Sequence, residues 1–423
     1  MLIELYGRNT SILQMRILVV TQYFWPENFR INDLVSELIK RGHEITILTG
    51  IPSYPNMEVY YKFINNPSEY NSYQGANIIR VPMITRGNAG LKLVINYLSF
   101  AISASIIGIY RLRGLSFDSI FVFEPSPITV GIPAIILRKL KKAPLIFWVL
   151  DLWPDTLKAV GTVKSDFFLK AIGILVSFIY KRCDLILGQS QSFIVHIKNL
   201  SGHGRVKYFP SWAESIFQIN SDHIESAQAN LEKFNITFAG NIGKSQDFPA
   251  IIEAIDLLKN NSHIHWTFVG DGRYSEWLKK EIQNRGLETS VSIEGRHPIE
   301  KMPVFFSQSD ALLVSLKDEP IFAMTIPGKL QAYLKTGKPI LGMLNGEGAR
   351  IITQSGCGIS CNAGDSKGLA EAVINLSQMT NEQRLNIGAK GKEFSLLEFD
   401  RDILISRLEN WMIELSSDVL AKK

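Results

Sequence analysis

The chain has 423 residues, 46% of them hydrophobic and 20% charged, with a formal net charge of +5. That length exceeds one ordinary hydrophobic core and predicts two domains, and the balance excludes a disordered or fibrous chain. Three cysteines, Cys183, Cys357 and Cys361, make no disulfide framework and no metal-ligand pattern, so a reducing, cytoplasmic setting is expected.

The first fourteen residues carry Glu4 and Arg8 and have no long apolar core. They read as an N-terminal extension (1–14), not a signal peptide, with Met15 as the natural start. From Arg16 the chain alternates strand-like and helical stretches. Arg16–Thr21 is a strand-like run, and Ile31–Lys40 has apolar residues at helical spacing that stop at Gly42. Strands are then predicted over Glu44–Thr49, Asn77–Val81, Ser119–Phe123, Pro144–Val149, Asp184–Leu187 and Arg205–Phe209. The polar stretch Pro210–Ala229 reads as a boundary. The pattern then restarts, with strands over Asn235–Ala239, His263–Val269, Ser290–Glu294, Ala311–Ser315 and Pro339–Gly342. Helices are predicted over Asp247–Leu258, Tyr274–Arg285, Pro298–Phe306 and Lys329–Lys335, and an amphipathic helix over Asp400–Leu415 ends the pattern. Such alternation predicts an α/β fold of two Rossmann-like domains, each a parallel sheet flanked by helices, facing a ligand cleft.

The charge is asymmetric. Residues 1–213 hold 23 Lys+Arg against 13 Asp+Glu, a net of +10, and the remainder holds 22 against 27, a net of −5. A basic first half predicts an anionic partner. No aromatic-rich basic strand or helix-turn-helix pattern accompanies it, so a membrane surface is expected and nucleic acid is not. Two apolar stretches, Leu93–Tyr110 and Phe167–Tyr180, fit either buried flank helices or helices lying in a membrane interface. Arg138, Lys139, Lys141 and Lys142 would add attraction to anionic lipid.

Several loops after predicted strands carry candidate chemistry. Gln22–Arg30 opens the first helix, where Arg30 can meet a phosphate, and no three-glycine dinucleotide fingerprint is present. Asp151 follows a buried strand, where a carboxylate can accept a hydroxyl proton or hold a sugar hydroxyl, and Asp155 lies one turn on. A helix cap is the alternative role for both. Gly240, Asn241 and Lys244 follow the first strand of the second half, and Gly270 and Gly272 follow the next. Small residues there let a ligand approach the backbone, and Lys244 can neutralise a diphosphate. Arg296 ends a third strand. Glu319 precedes Pro327-Gly328-Lys329, whose helix start and lysine suit a phosphate. No histidine pair has metal-ligand spacing, and Asp400-Arg401-Asp402 reads as a helix start, so no metal site is expected.

From Met15 onward these residues resemble the family-4 retaining glycosyltransferases of the GT-B fold. The resemblance rests on Arg41-Gly-His-Glu-Ile-Thr-Ile, Cys183-Asp-Leu-Ile-Leu-Gly-Gln-Ser190, Phe238-Ala-Gly240, Phe268-Val-Gly-Asp-Gly272 and Thr336-Gly-Lys-Pro339. Trp148–Asp155, Gly240–Lys244 and Ile326–Lys329 resemble a narrower O-antigen and capsule branch that includes L-fucosamine transferases. The resemblance implies an acceptor-binding domain (15–212), a nucleotide-sugar-binding domain (213–398) and a C-terminal helix (399–423) packing back across both. It implies transfer from a UDP-sugar, with N-acetyl-L-fucosamine the candidate sugar, to an undecaprenyl-diphosphate-linked saccharide. It further implies retention of configuration, no cofactor and no required metal, with the departing diphosphate assisting deprotonation. The enzyme would be peripheral on the inner face of the cytoplasmic membrane. Asp151 and Glu319 would be catalytic. Gly240, Asn241, Lys244, Gly270, Gly272, Arg296, Gly328 and Lys329 would hold the donor, and Arg30 and Asp155 the acceptor or its phosphate. The chain departs from the family at Glu27-Asn28, where paired glycines are usual, and at Asn241 and Gln246, where Arg and Lys are usual, leaving Lys244 as the nearby cation. It also departs at Met324 and Ala332, where two glutamates are usual; Glu319 is the candidate replacement for the first. A nucleotide-sugar epimerase on the same fold and a non-catalytic scaffold are the alternative readings.

Overall fold

A computed structural model describes residues 14–54, 57–86, 91–159, 161, 163, 165–217 and 233–421. All of the expected extension but Gln14, and the boundary stretch from residue 218 onward, lie outside the described residues. The chain divides into two compact units. The first holds residues up to Gln189, then Phe193–Phe209 and everything from Asp402; the second holds Ser190–Ser192 and Pro210–Arg401. These limits fall a few residues from the expected 212/213 and 398/399.

The first unit contains an eight-stranded sheet in the order β3-β4-β2-β1-β5-β6-β7-β8. Its strands are β1 (Arg16–Val20), β2 (Glu44–Gly50), β3 (Ser72–Tyr73), β4 (Ala76–Val81), β5 (Ser119–Glu124), β6 (Leu145–Val149), β7 (Leu185–Gly188) and β8 (Val206–Tyr208). All pair in parallel except the short β3, which runs antiparallel to β4 at the edge. β5 and β6 are buried at every position, so both read as unbroken apolar runs. The second unit contains a fully parallel sheet in the order β11-β10-β9-β12-β13-β14. Its strands are β9 (Phe234–Ala239), β10 (Ile264–Val269), β11 (Val291–Gly295), β12 (Ala311–Ser315), β13 (Ile340–Met343) and β14 (Gly358–Cys361). Strand order reverses at β1, between β2 and β5, and at β9, between β10 and β12. Ligand sites of open parallel sheets lie outside the carboxyl ends of strands at such points.

Three details differ from the sequence reading. The stretch expected as one helix over Pro298–Phe306 is a 3-10 turn, Ile299–Lys301, followed by a helix, Met302–Ser307, with Pro303 in its first turn. Leu93–Tyr110 lies in a helix that loosens into a π turn at Ala104–Gly108. Two of the four basic residues expected to face lipid are used internally. Arg138 holds Asp184 through two 2.6 Å hydrogen bonds, and the Lys141 ammonium donates to the Leu112 and Leu115 carbonyls.

The last helix, Arg401–Leu420, is joined to the first unit by a buried polar knot. Arg41 follows the first helix, Arg30–Lys40, and donates to Glu409 and, at 2.8 Å, to the Ser406 hydroxyl. His43 accepts from the Met15 amide through Nδ1, so its Nε2 carries the hydrogen given to Glu409 at 2.8 Å. Burial pushes the Glu409 carboxyl up, but the His43 and Arg41 hydrogen bonds outweigh it and hold the carboxyl below its ordinary range. Trp411 extends the seam against Phe209, with ring centroids 6.1 Å apart. Glu409→Ala leaves the buried His43 donor unmatched and takes one acceptor from the part-buried Arg41, and is expected to cost about 2–4 kcal/mol in urea unfolding at neutral pH. Because the folded carboxyl is depressed, this contribution is present above the ordinary carboxyl range. It is lost as pH falls through the depressed value, so wild type and variant should converge in acid.

Candidate functional site

In the second unit the carboxyl ends of three strands are stitched into one glycine-lined edge. The Gly240 amide donates to the Val269 carbonyl at 2.8 Å, the Gly270 amide to Gly295 at 2.7 Å, and the Ile242 amide to Asp271 at 2.9 Å. These turns are too close for side chains. A Cβ on Gly270 would stand 1.9 Å from the Gly240 carbonyl oxygen, and one on Gly272 would stand 2.2 Å from that of Ile242. Gly240 and Gly270 also have φ of +138° and +142°, a region that favours glycine.

Lys329 closes this edge. It is the second residue of the helix Gly328–Thr336, and its Cε fills the position a Cβ on Gly240 would need. Its ammonium lies 3.7 Å from the Phe238 ring centroid. The side chain keeps some surface, yet protein atoms surround the ammonium, and burial alone pulls its pKa down to about 7. A cation so placed, on a helix N-terminus and beside glycine amides, is suited to a diphosphate, whose charge would restore the ordinary pKa.

The other expected donor residues lie along the same strand ends but more openly. Asn241, Lys244, Arg296 and Gly328 are exposed. Lys244 therefore is not the one cation of this loop: Lys329 covers Gly240, and Lys317 donates its amide to Ser245 at 2.8 Å. Glu319 starts the short helix Pro320–Met324 through its carbonyl, and its carboxylate sits 3.6 Å from the Lys317 ammonium.

In the first unit a different chemistry gathers at the ends of β1, β2, β5 and β6. Asp151, two residues past β6, accepts from the Trp153 indole at 3.1 Å and is also held by the Ser126 and Thr156 hydroxyls and the Leu152 amide. Burial nevertheless raises its pKa. Trp153 packs on Tyr97, and the Arg86 guanidinium covers the Tyr23 and Tyr54 rings. The result is a largely buried aromatic cluster packed around an acid at the strand ends. Asp155 lies 3.2 Å from His196, which holds its pKa down, and Arg30 is part-buried at the start of its helix.

Sequence reading missed two acids here. Glu27 is buried and accepts the amides of Phe24, Ser53 and Tyr54 at 3.2, 2.9 and 2.8 Å. Burial pushes its carboxyl up to about 7 against those amides and Arg80. Where paired glycines were expected, the Glu27 side chain thus satisfies amides of its own loop and of the loop after β2. Glu124 ends β5, fully buried and electrostatically coupled to Asp151. Among the described residues, no group of three or more His, Cys, Asp or Glu side chains is arranged to hold a metal ion.

Residues 220–394 match the family described as Glycosyl transferases group 1. WbjE of Pseudomonas aeruginosa, a glycosyltransferase by its description, is 26% identical over 246 residues, 55% of this chain and 60% of that protein. WcaI of Escherichia coli K12, described as a colanic acid biosynthesis glycosyl transferase, is 26% identical over 351 residues, 76% and 82% of the two chains. Among solved structures, HepE of Anabaena in complex with UDP and glucose superposes with a TM-score of 0.69 at 13% identity, covering 95% of this chain and all of HepE. The fold is thus that of two parallel-sheet α/β domains seen in GT-B enzymes, and the chain is a glycosyltransferase. Gly270→Ala should cost at least about 2 kcal/mol in chemical unfolding, because a methyl group there meets backbone that has no rotamer to yield.

Proposed function

We propose that this glycosyltransferase moves a sugar from a UDP-sugar to an undecaprenyl-diphosphate-linked saccharide in surface-polysaccharide assembly, with retention of configuration. One observation carries the donor half of this reading: the desolvated Lys329 ammonium against the Gly240–Gly270 edge, a cation that no carboxylate among the described residues holds. Departure of UDP from the sugar develops negative charge on the diphosphate, and a preorganised cation and helix N-terminus stabilise that charge. Lys329 plays this part here, so the reading assigns no metal to the reaction. HepE was solved in complex with UDP, and WcaI is described as a glycosyl transferase of colanic acid biosynthesis, which supports the donor and the setting.

On the acceptor side, Asp151 accepts a hydrogen bond from the attacking hydroxyl and orients it. The proton passes to a diphosphate oxygen as the sugar–phosphate bond breaks and the new glycosidic bond forms on the same face. Tyr97, Trp153 and Tyr23 give the acceptor sugar apolar walls. N-acetyl-L-fucosamine is the donor sugar this reading favours, on the resemblance to L-fucosamine transferases. Glu319, at the start of its helix beside Lys317, lies in reach of the donor loops and is read as a sugar contact.

We read the first unit as also meeting the lipid-linked acceptor. The helix Lys92–Arg111 is long and apolar enough to cross a membrane, with mean hydropathy 1.8, but a third of it is buried. Its Val94, Leu98, Ile102, Ile106 and Tyr110 form an exposed stripe at four-residue spacing. Phe167, Phe168, Ile174 and Phe178 expose a second one on the helix Asp166–Tyr180. We read both as lying in the interface on the cytoplasmic face, with exposed Lys139 and Lys142 adding attraction.

Purified protein given undecaprenyl-diphosphate-linked N-acetylglucosamine and a panel of UDP-sugars is expected to yield a disaccharide-lipid with one donor, seen by mass. UDP binding without transfer to any acceptor would favour a scaffold, and a changed free nucleotide sugar an epimerase. Lys329→Met should weaken UDP binding at least about tenfold at pH 6.5 in calorimetry, and wild-type affinity should fall as pH rises past 7. Asp151→Asn should lower turnover at least about tenfold with the fold intact by circular dichroism. Ile102→Gln with Ile106→Gln should release the protein from anionic vesicles in flotation while UDP binding stays unchanged.

A further inference from the structure

Half-buried arginines of the first unit are mostly tied down. Arg138 has Asp184, Arg41 has Glu409, and Arg80 donates to the carbonyls of Gly50, Trp25 and Tyr70. Arg86, after β4, is held in another way. Its guanidinium lies over two rings, 5.0 Å from the Tyr54 centroid and 5.7 Å from that of Tyr23. Its Nη1 donates to the Tyr23 hydroxyl at 3.2 Å. No carboxylate among the described residues pairs with it. The acids of the adjoining loops are engaged elsewhere, Glu27 by the amides of Phe24, Ser53 and Tyr54, and Asp151 by the Trp153 indole.

This clamp is fixed by its own packing. Tyr23 is buried and stacks on Phe29 with centroids 5.1 Å apart, and Phe29 in turn packs on Tyr54 at 5.4 Å. The Tyr54 backbone is pinned by its 2.8 Å hydrogen bond to Glu27. Rings against the face of a guanidinium leave its N–H donors directed from the edge. Arginine has five such donors in a rigid fork, and the fork matches two oxygens of a phosphate.

The loop that carries Arg86 is bonded to the helix Lys92–Arg111. The Ile84 amide donates to the Ser99 hydroxyl at 3.0 Å, and the Ile84 carbonyl accepts from the Asn96 amide group. Ile84 itself is exposed, as are Val94 and Leu98 of that helix. Asn96 also accepts from the Gln22 side chain at 2.8 Å, and the next residue, Tyr97, packs on Trp153. One helix thus ties together the exposed apolar stripe, the arginine clamp and the Asp151 cluster. A saccharide carried on a lipid diphosphate presents hydrocarbon, then phosphate, then sugar hydroxyls, which are the three chemistries these groups complement.

We propose that Arg86 is the phosphate-binding residue of the acceptor site: clamped by Tyr23 and Tyr54, its guanidinium holds the phosphate that joins the saccharide to its lipid and selects phosphate-linked over neutral acceptors. This rests on the lipid-linked acceptor proposed above, so one arm of the test needs no transfer.

The first arm is calorimetry with farnesyl diphosphate, a short soluble prenyl diphosphate, in saturating UDP so that the donor's own diphosphate site is filled. Wild type should bind it. Arg86→Met should weaken that binding at least about tenfold, and Arg86→Lys, which keeps the charge and loses the fork, should fall between the two. UDP affinity, titrated separately, should stay within about twofold in both variants. A fall in UDP affinity like that for farnesyl diphosphate would assign Arg86 to the donor and overturn the proposal. Inorganic pyrophosphate binding as tightly as farnesyl diphosphate would make the site one for free phosphate and overturn the lipid source. The second arm compares transfer to N-acetylglucosamine on phenoxyundecyl diphosphate with transfer to the phenoxyundecyl glycoside of the same sugar. Arg86→Met should raise KM at least about tenfold for the first acceptor and change it less than about twofold for the second. An equal loss with both acceptors would show that Arg86 only holds the aromatic cluster together, and would overturn the phosphate role. Wild type that transfers to no lipid-linked acceptor yet binds farnesyl diphosphate through Arg86 would sink the acceptor reading and leave the phosphate site standing.

Discussion

Burying both faces of a parallel sheet leaves charge almost nowhere to sit along its strands. β5, β6 and β12 have no exposed position, and what polarity they carry is short or at a terminus. Charged chemistry is therefore displaced to the carboxyl ends, where strands stop and loops begin. Glu124 and Asp151 stand at such ends in the first unit, and Gly240, Gly270 and Lys329 gather at them in the second. Burial is the main influence on the charge of Glu124, Asp151 and Lys329 alike.

The same cause works with opposite sign in the two units. The second holds a cation that burial makes reluctant to keep its proton, and such a group gains most from a multiply charged anion. The first holds carboxyl groups that burial makes reluctant to lose theirs, behind aromatic walls. Those groups gain most from a neutral partner with hydroxyls. A nucleotide sugar and a saccharide are complementary to these two environments in that order, which ties the assignment of substrates to electrostatics as well as to likeness.

Much of the fold was legible because buried parallel strands read as short continuous apolar runs ended by glycine. Ala311–Ser315 was bounded as found, and most other strands within a residue or two. The glycine-lined edge of the second unit was legible as close turns for the same reason: Gly240, Gly270 and Gly272 occupy positions that exclude side chains. What escaped was whatever depends on contacts distant in sequence. Glu124 stands one residue past the expected strand end, where a carboxylate looks like surface until the neighbouring strand and helix bury it. Glu27 looked like a missing glycine until Ser53 and Tyr54 came to it. Arg138 and Lys141 looked like a membrane patch, but Asp184 and two distant carbonyls engage them. The meeting of Lys329 with Gly240 could be guessed as chemistry but not as contact.

The last helix belongs to the unit that the chain began, and it supplies Glu409 to Arg41 and His43 and Trp411 to Phe209. On a ribosome the first sheet is therefore translated long before the segment that covers its polar knot. Its apolar seam must wait, uncovered, while the whole second unit emerges. The second unit has no such debt and can close as soon as Arg401 clears the tunnel. The order of synthesis and the order of completion are thus opposite: the unit begun first is finished only when the helix Arg401–Leu420 docks on it.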